Sequence, residues 1–431
     1  MLKQLIFILV ILLFLGIFTY TALRVISFIK LTKKGFPIKQ IGKRIAITLG
    51  IAFGQTKILR RPAIGILHAL VFWGFLVILF GSVEMIIDGI TGSERVFSPA
   101  GIIYNILIAF GDVFAAIIII ACIAFLIRRL VMKVKRFSGV EMKPKSTIDA
   151  SIALFLILLL MFSLIGMNMG YIASHDGNYS GVYPVSGMFV PLLGNLPAAS
   201  WHVFHEVNWW IHIVFILIFL NILPYSKHFH IIMSLPNVFL SRLEPVTKLN
   251  NMESVTKEVK LMLNPETAYE APAEDAPPPD RFGIKDVEDV YWKNYIDSLT
   301  CTECGRCTSV CPANITGKLL SPRKLFIDLR KRMNEKGPGL VKDKNYNDNK
   351  SLVGAYITPE ELWACVTCNA CVQECPVNIN HVSFIIDMRR SLVMEDSAAP
   401  ALLNQMFNNI ENNGAPWQYS PEDRMVWAEG I

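Results

Sequence analysis

Apolar residues are concentrated in five long stretches of the first half of the chain. Each exceeds the roughly 20 residues that a helix needs to cross the hydrocarbon core of a bilayer. The sequence therefore predicts five membrane-spanning helices, at residues 5–29, 64–87, 101–127, 148–172 and 203–225. The moderately apolar stretch 41–59 has Lys43, Arg44 and Lys57 near its ends. We expect it to lie as an interfacial helix on the inner leaflet rather than to form a sixth span.

Basic residues are distributed unevenly among the loops that join these helices. Residues 30–62 contain nine Lys and Arg and residues 128–147 contain seven, whereas 88–100 contains only Arg95 and 173–202 contains none. Basic loops stay in the cytoplasm. We therefore expect a multi-pass protein of a bacterial or archaeal inner (cytoplasmic) membrane, with its N-terminus outside and its C-terminal half inside. A cleaved signal peptide at the N-terminus is the alternative, but the apolar run is too long and no cleavage site follows it.

Composition changes after residue 263. Residues 1–263 carry 24 Lys/Arg against 11 Asp/Glu, a net +13, and the rest carries 17 against 24, a net −7. The acidic, Pro-rich stretch 264–280 cannot bury a core and is predicted to be a tether. The overall charge of +6 is therefore no sign of nucleic-acid binding; the basic loops are expected to face membrane lipid. The predicted organisation is a transmembrane domain, a juxtamembrane segment with linker, a soluble domain and a tail, at residues 1–235, 236–283, 284–395 and 396–431.

Eight of the nine cysteines lie in two copies of C-x2-C-x2-C-x3-C-P. This spacing is typical of ferredoxins, in which the fourth cysteine of each run binds the other [4Fe–4S] cluster. The predicted ligand sets are Cys301, Cys304, Cys307 and Cys375 for one cluster, and Cys365, Cys368, Cys371 and Cys311 for the other. Zinc leaves the third cysteine and the Cys-Pro pair of each copy unexplained, and disulfides are disfavoured in the reducing cytosol. The ninth cysteine, Cys122, is expected to be a packing residue.

Amphipathic segments flank both cysteine motifs. Helices are predicted at 284–299, 322–333 and 380–394, and another helix-like stretch at 236–263, whereas the polar stretch 338–354 is predicted to be a loop. The fold class that follows is mostly α: a five-helix transmembrane bundle, which the resemblance described below implies is cytochrome b-like, with a C-terminal α-helical dicluster ferredoxin domain.

Histidines in or next to the spans are candidate haem ligands, because ionisable residues inside a membrane are usually functional. His68 lies about one turn inside the cytoplasmic end of the second span. If the fifth helix continues from His212 to His230, it rises about 27 Å, nearly the thickness of the membrane. His68 would then match His230 or His228 in depth, and such a pair could bind one haem b. An interhelical hydrogen bond is the alternative role for each histidine.

The outer half of the membrane is less clear from the sequence. Ile78 occupies the position on the second span that would match His212, so a second haem would need a partner for His212 from the outer side (His175, His202 or His205). Asp112 in the third span is either a proton or quinone-site group or the partner of a buried polar neighbour such as Asn105.

The chain resembles membrane-bound iron–sulfur oxidoreductases related to heterodisulfide reductase. The resemblance rests on five spans with histidines at the second and fifth, followed by the two cysteine motifs. The membrane half resembles the gamma subunit of respiratory nitrate reductase, a cytochrome b in which two histidines on each of these spans bind two haems. That resemblance implies ligand roles for His68, His212 and His230, while Ile78 puts the outer haem in doubt.

The resemblance also implies partners. Relatives such as electron-transfer-flavoprotein:menaquinone oxidoreductases continue into a cysteine-rich CCG domain, and no cysteine follows Cys375 here. We therefore expect a separate CCG-type iron–sulfur subunit, an electron-transfer flavoprotein, or both, to dock in the cytoplasm.

The resulting hypothesis is a membrane electron-transfer subunit. Two [4Fe–4S] clusters and haem b would connect a cytoplasmic redox partner with menaquinone or another quinone, which makes the chain an oxidoreductase subunit. The alternatives are a relay and anchor without its own quinone site, a part of a heterodisulfide reductase-like thiol/disulfide complex, and a haem-free ferredoxin on an inert anchor.

Overall fold

The computed structural model describes residues 1–137, 139, 141–142, 144–175, 177–194, 196–264, 266, 281–418 and 420–430. Nearly all of the predicted tether at 264–280 therefore lies outside the described residues. Within the described part of the first half, the α-helices are α1 (Leu2–Lys30), α2 (Ile41–Thr48), α3 (Thr56–Leu59), α4 (Pro62–Thr91), α5 (Ile102–Leu126), α6 (Pro144–Ser174), α7 (Ser186–Phe189), α8 (Ala198–Ile222), α9 (His230–Phe239) and α10 (Glu253–Leu263).

Five of these helices are long and apolar enough to cross a membrane: α1, α4, α5, α6 and α8. They coincide with the five predicted spans and are called the first to fifth span below. The stretch 41–59 is split into α2, a π-helical turn at Leu49–Phe53 and α3. It is too short and too broken to form a further span.

The spans pack as an antiparallel bundle in which α4 lies along α5, α5 along α6, and α6 along α8. The backbones of α6 and α8 approach closely where Gly170 faces His205, since a Cβ at position 170 would lie 2.7 Å from the His205 backbone nitrogen. Small residues at helix contacts are what membrane bundles use to pack tightly. Large apolar side chains such as Leu9, Leu12 and Leu13 point away from the bundle and are exposed, as suits a surface that faces lipid.

The fifth span ends at Tyr225, where the sequence predicted its end. Helix α8 stops at Ile222, a 3-10 turn follows at Leu223–Tyr225, and Ser226 is extended with φ −106° and ψ 154°. Pro224 explains the break, because proline has no backbone N–H and its ring clashes with the preceding turn of a helix. The sequence left open whether one helix continues from His212 to His230, and it does not. His228 and His230 lie beyond the turn, with His230 at the start of α9.

In the described part of the second half, the α-helices are α11 (Trp292–Thr300), α12 (Arg306–Ser309), α13 (Pro312–Ile315), α14 (Pro322–Lys342), α15 (Leu352–Ala355), α16 (Pro359–Trp363), α17 (Ala370–Glu374), α18 (His381–Met394) and α19 (Ala401–Asn413). No β-strand occurs among the described residues; Lys33–Tyr291 and Val353–Ile357 form isolated bridges only. The predicted fold class, a five-span helical bundle with a helical ferredoxin domain, is confirmed.

Three local predictions need correction. The helix predicted at 322–333 continues to Lys342 through Pro338, so part of the predicted loop 338–354 is helical. A contact with another segment stabilises the later turns of this helix, because the buried Lys336 donates to the Asp286 carboxylate at 2.8 Å. The stretch 236–263 contains two helices rather than one, separated by irregular residues 240–252. The helix predicted at 284–299 begins only at Trp292, after a 3-10 turn at Val287–Asp289.

The helical ferredoxin body packs directly against one end of the bundle, the end predicted to be cytoplasmic. Phe28 of the first span and Leu223 and Phe229 after the fifth belong to the same apolar core as Tyr295 and Phe326 of the second half. The Lys33 amide donates to the Val290 carbonyl at 2.8 Å. This shared core places the cysteine motifs beside the inner ends of the spans.

Candidate iron–sulfur and haem sites

The two cysteine motifs have the same backbone path. In both copies the residue before the second cysteine and the residue after it have positive φ: Glu303 (55°) and Gly305 (71°) in the first, Thr367 (54°) and Asn369 (60°) in the second. Such left-handed positions fold the Cys-x2-Cys segment into a tight loop. At Gly305 there is a further requirement, because a Cβ would lie 2.4 Å from the Arg136 carbonyl oxygen of the membrane half.

One cavity in the ferredoxin body is lined by four cysteines that were assigned to a single cluster. These are Cys311 from the first motif and Cys365, Cys368 and Cys371 from the second, together with apolar side chains such as Leu320 and Ile385. The Thr367 amide lies 3.4 Å from Cys365 Sγ, as a donor to the sulfur. Four thiols around a dry space fit a [4Fe–4S] cube, and the arrangement agrees with the predicted exchange of the fourth cysteine.

The other four cysteines lie close enough together for their thiols to interact electrostatically. The thiol of Cys375 interacts with those of Cys301 and Cys304, and Cys307 interacts with all three. Burial raises the pKa of Cys301 to about 11 and that of Cys375 to about 12. Thiolates at such buried positions need a positive charge beside them, which the iron of a cluster would provide.

The thiol arrangement fits clusters better than single ions. All nine cysteines are free, and in the part of the chain that the structure describes, no three His, Cys, Asp or Glu side chains converge as a single metal ion requires. Zinc would draw its thiolates to one centre at about 2.3 Å each, whereas a cube offers a different iron to each sulfur.

The two cysteine sets have different surroundings. The set with Cys375 lies against the membrane half: the Lys57 ammonium donates to the Cys375 carbonyl at 3.1 Å, and Arg306 donates to the Lys57 and Ile58 carbonyls at 2.9 and 3.2 Å. The set with Cys311 lies at the surface, where Cys368 is exposed. We call these the inner set and the surface set.

Basic residues of the loop before the second span make much of this contact. Arg61 pairs with Glu374 at 2.7 Å and Arg60 donates to the Gln373 carbonyl at 3.1 Å. The sequence analysis assigned these side chains to topology and lipid alone. Their contacts with the ferredoxin body were missed, because the distribution of basic residues along a loop does not show which backbone carbonyls or carboxylates they will contact.

Two of the histidines predicted to share a haem, His68 and His230, lie close enough to interact electrostatically. The buried Nδ1 of His68 has no hydrogen-bond partner among the described residues. His230 Nδ1 lies 3.0 Å from the Lys227 carbonyl, which fixes the proton on Nδ1 and leaves Nε2 as a ligand. Burial lowers the pKa of His230, so the ring is neutral at pH 7.

His228 has other contacts. Its Nδ1 lies 2.9 Å from Ser226 Oγ and 3.8 Å from Asp149 Oδ2, and its ring centre is 5.9 Å from that of His230. Both rings thus have an engaged Nδ1, and His230 is favoured as the partner because it is the one that interacts with His68.

The outer half of the bundle contains His212 but brings no second histidine to it. His212 Nδ1 lies 2.9 Å from the Leu160 carbonyl and 3.0 Å from Ser163 Oγ. His205 is bonded to the Met167 carbonyl at 2.9 Å and His175 to the Tyr171 carbonyl at 2.8 Å, while His202 is exposed. The structure therefore supplies no matched imidazole pair for an outer haem among these residues.

Asp112 pairs with buried polar neighbours, one of the two roles that the sequence left open. Its carboxylate accepts from the Val185 amide at 2.7 Å, the Ser186 amide at 2.9 Å and Asn168 Nδ2 at 3.2 Å, and also from the Ser186 hydroxyl. The expected partner, Asn105, is not among these. The hydrogen bonds of Asp112 thus hold the loop before α7 against the bundle.

Comparison with known proteins agrees with this architecture. Residues 300–379 match the family model described as "4Fe-4S dicluster domain". A probable iron-sulfur-binding oxidoreductase FadF of Bacillus subtilis (strain 168) is 29% identical over 446 residues, covering 96% of this chain and 59% of the relative. An EtfAB:quinone oxidoreductase of Syntrophomonas wolfei is 26% identical over 416 residues, covering 90% of this chain and 54% of the relative.

A probable membrane-anchored ferredoxin of Chromohalobacter salexigens is 33% identical over 171 residues, covering 36% of this chain and 25% of the relative. No solved structure matches the chain. The chain spans little more than half the length of the first two relatives. Together with the five apolar helices and the two cysteine sets, these similarities support an iron–sulfur electron-transfer role for a membrane protein.

Proposed function

We propose that the chain carries electrons between a cytoplasmic redox partner and the quinone pool. The surface set and the inner set each hold one [4Fe–4S] cluster, and His68 and His230 hold one haem b. Electrons move one at a time between these centres, and a quinone exchanges two electrons and two protons with them. The bundle lies in a cytoplasmic membrane, with the ferredoxin body on the cytoplasmic side.

One observation carries this proposal: Arg306 joins the inner set to the start of the second span. It lies between Cys304 and Cys307, bonds the Lys57 and Ile58 carbonyls and is an electrostatic neighbour of His68. The inner cluster would therefore be adjacent to the haem. Tertiary packing rather than a flexible tether fixes this arrangement.

The soluble partner is expected at the surface set. Cys368 is exposed, and the neighbouring Val366 retains 66% of its accessible surface. A partner that covered this edge would approach the surface cluster more closely than any other centre. A CCG-type iron–sulfur subunit and an electron-transfer flavoprotein are the two candidates, the latter supported by the name of the Syntrophomonas relative.

Quinol-driven reduction tests the proposal. The detergent-purified chain with its clusters is mixed anaerobically with menaquinol-1, and the haem α-band and the cluster absorbance are followed. We expect reduction of the haem in the wild type and in His228→Asn, and no haem band in His68→Ala or His230→Ala. A wild type that shows a haem but is not reduced by menaquinol would leave only a relay and anchor without its own quinone site.

A further inference from the structure

A buried pair of opposite charges joins the membrane half to the loop of the inner cysteine set. Lys227 lies in the turn after the fifth span, and Glu303 lies between Cys301 and Cys304 of the first motif. Their side chains are only 5% and 9% exposed, and the ammonium nitrogen lies 3.7 Å from a carboxylate oxygen. Burying two charges is costly unless each one is paired and hydrogen-bonded. Both partners have such further contacts, and these lead to the two proposed redox centres.

The Lys227 ammonium is bonded to the start of the fourth span. It donates to the Ser146 carbonyl and, at 2.7 Å, to the Ser146 hydroxyl. That hydroxyl in turn donates to the Glu303 carboxylate. The lysine, the serine and the glutamate therefore form one closed polar group, which connects the fourth span, the turn after the fifth span and the loop of the inner set.

The backbone of Lys227 contacts the proposed haem ligand. Its carbonyl accepts from His230 Nδ1 at 3.0 Å, and its amide donates to the Asp149 carboxylate at 3.2 Å. A hydrogen bond at the second ring nitrogen fixes the tautomer and the orientation of a ligating imidazole. The same residue therefore holds His230 through its backbone and the loop of the inner set through its side chain.

Arg330 of α14 holds this loop from the other side. It donates to the Glu303 carboxylate and, at 3.4 Å, to the Cys301 carbonyl. Glu303 thus has a cation on each side, and one of these cations contacts the backbone of a predicted cluster ligand. A continuous chain of polar contacts therefore connects the proposed haem ligand with the proposed inner cluster.

At the surface set, an uncharged residue occupies the position of Glu303. Thr367 lies before the second cysteine of its motif, and its backbone is nearly the same, with φ 54° against 55°. Its side chain is exposed. A carboxylate is therefore not needed to form the loop around a cluster, and the contacts with the membrane half are what distinguish Glu303.

We propose that Lys227 is a positioning residue for electron transfer between the inner cluster and the haem. Its backbone carbonyl orients His230, and its ammonium holds the loop of the inner set at Glu303. The inference rests on the proposed function, and it adds the residue that fixes the two centres relative to each other. Because the ammonium is buried close to both centres, its charge also stabilises their reduced states.

Redox titration of single variants tests this role on the full chain, purified in detergent with its haem and clusters. Lys227→Met removes the ammonium and keeps the backbone carbonyl, and Glu303→Gln removes the neighbouring negative charge at nearly constant size. Lys336→Met is the matched control, because that lysine is also 5% exposed and pairs with Asp286 and Glu288 instead. Optical and EPR spectra give the midpoint potentials of the haem and of both clusters.

We expect the two variants of the pair to shift the inner cluster in opposite directions. Lys227→Met should lower the potentials of the haem and the inner cluster, and Glu303→Gln should raise that of the inner cluster, since positive charge favours the reduced forms. The EPR g values of the oxidised haem, which report the orientation of its imidazole planes, should shift in Lys227→Met. Lys227→Arg should restore both properties. The surface cluster should keep its potential throughout, and Lys336→Met should leave all three potentials unchanged.

Inner-cluster potentials that equal the wild-type value in both variants, or that move in the same direction, would reduce the pair to a packing contact and leave the proposed function standing. If Lys227→Met does not retain its centres, Glu303→Gln decides alone, and an unchanged inner potential there would overturn the inference. A wild type without haem would instead remove the haem from the proposed function, and this inference with it.

Discussion

The inner and surface cysteine sets have the same spacing and the same left-handed loop positions, yet they lie in different environments. Around the inner set, the membrane half contributes Lys57, and Gly305 lies against the Arg136 backbone. Around the surface set, Cys368 is exposed and Asn369 occupies the position of Gly305. Equal motifs can therefore bind equal clusters while their potentials and accessibility differ. The surface set is therefore open to solvent, whereas the inner set lies against the membrane half.

The largest effect is expected when the fourth cysteine of the first motif is replaced by serine. Cys311→Ser removes a residue of the first motif but should abolish the cluster of the second, because Cys311 lines the cavity with Cys365, Cys368 and Cys371. Iron should fall from about eight atoms per chain to about four, with one set of electron paramagnetic resonance (EPR) signals lost. Cys122→Ser, a buried cysteine outside both sets, should retain all iron. Retention of the surface cluster in Cys311→Ser would rule out the exchange.

The next largest effect is expected on stability, from substitutions at Gly305 and Asn369, which occupy equivalent left-handed positions in the two motifs. Gly305→Ala introduces a Cβ 2.4 Å from the Arg136 carbonyl in addition to the backbone strain, and should destabilise the docked ferredoxin body by about 2–4 kcal/mol. Asn369→Ala should cost only about 1–2 kcal/mol, since it adds backbone strain and removes one exposed hydrogen bond, from Asn369 Nδ2 to the Thr367 carbonyl, without any clash. Thermal unfolding of the two variants in the same detergent measures this difference. Equal losses would mean that the docking contact at Gly305 does not contribute.

Oxidants should destroy the surface cluster roughly ten times faster than the inner cluster, because reactivity follows exposure. Under limiting ferricyanide, the cluster signals assigned to the surface set through Cys311→Ser should disappear first. An EPR time course measures both rates in one sample. Faster loss of the inner cluster would contradict its protected position against the bundle.

The smallest effect is expected on the reduction potential. Lys57→Gln removes a cation next to Cys375 and should lower the midpoint potential of the inner cluster by on the order of tens of millivolts, since positive charge stabilises the reduced cluster. Lys318→Gln, an exposed change near the surface set, provides the matched control and should leave the inner potential unaltered. An EPR-monitored redox titration measures both. An unchanged inner potential in Lys57→Gln would argue against electrostatic coupling of the two halves.

Much of the fold was predictable because the signals were local. Apolar runs of bilayer length define all five spans, and the cysteine spacing predicts two clusters without reference to neighbours. The helix at 380–394 was also predicted nearly to the residue, since α18 covers His381–Met394. Pro224 was a visible signal for the end of the fifth span, whose predicted end at residue 225 agrees with the structure.

What the sequence did not predict depends on distant contacts. The late turns of α14 are held by the bond between Lys336 and Asp286, which helical periodicity cannot show. Asp112 meets Ser186, 74 positions away, and Arg95 returns from a loop that looked like ordinary outer sequence.

The central claim is that one chain joins two cytoplasmic clusters to the membrane through a haem held by His68 and His230. Dithionite-reduced wild-type protein, purified with its clusters, tests it most directly by a combined optical and EPR count of centres per chain. The account predicts one b-type haem and two [4Fe–4S] clusters, with the haem lost in His230→Ala and both clusters retained. Two clusters without a haem α-band in the wild type would contradict it.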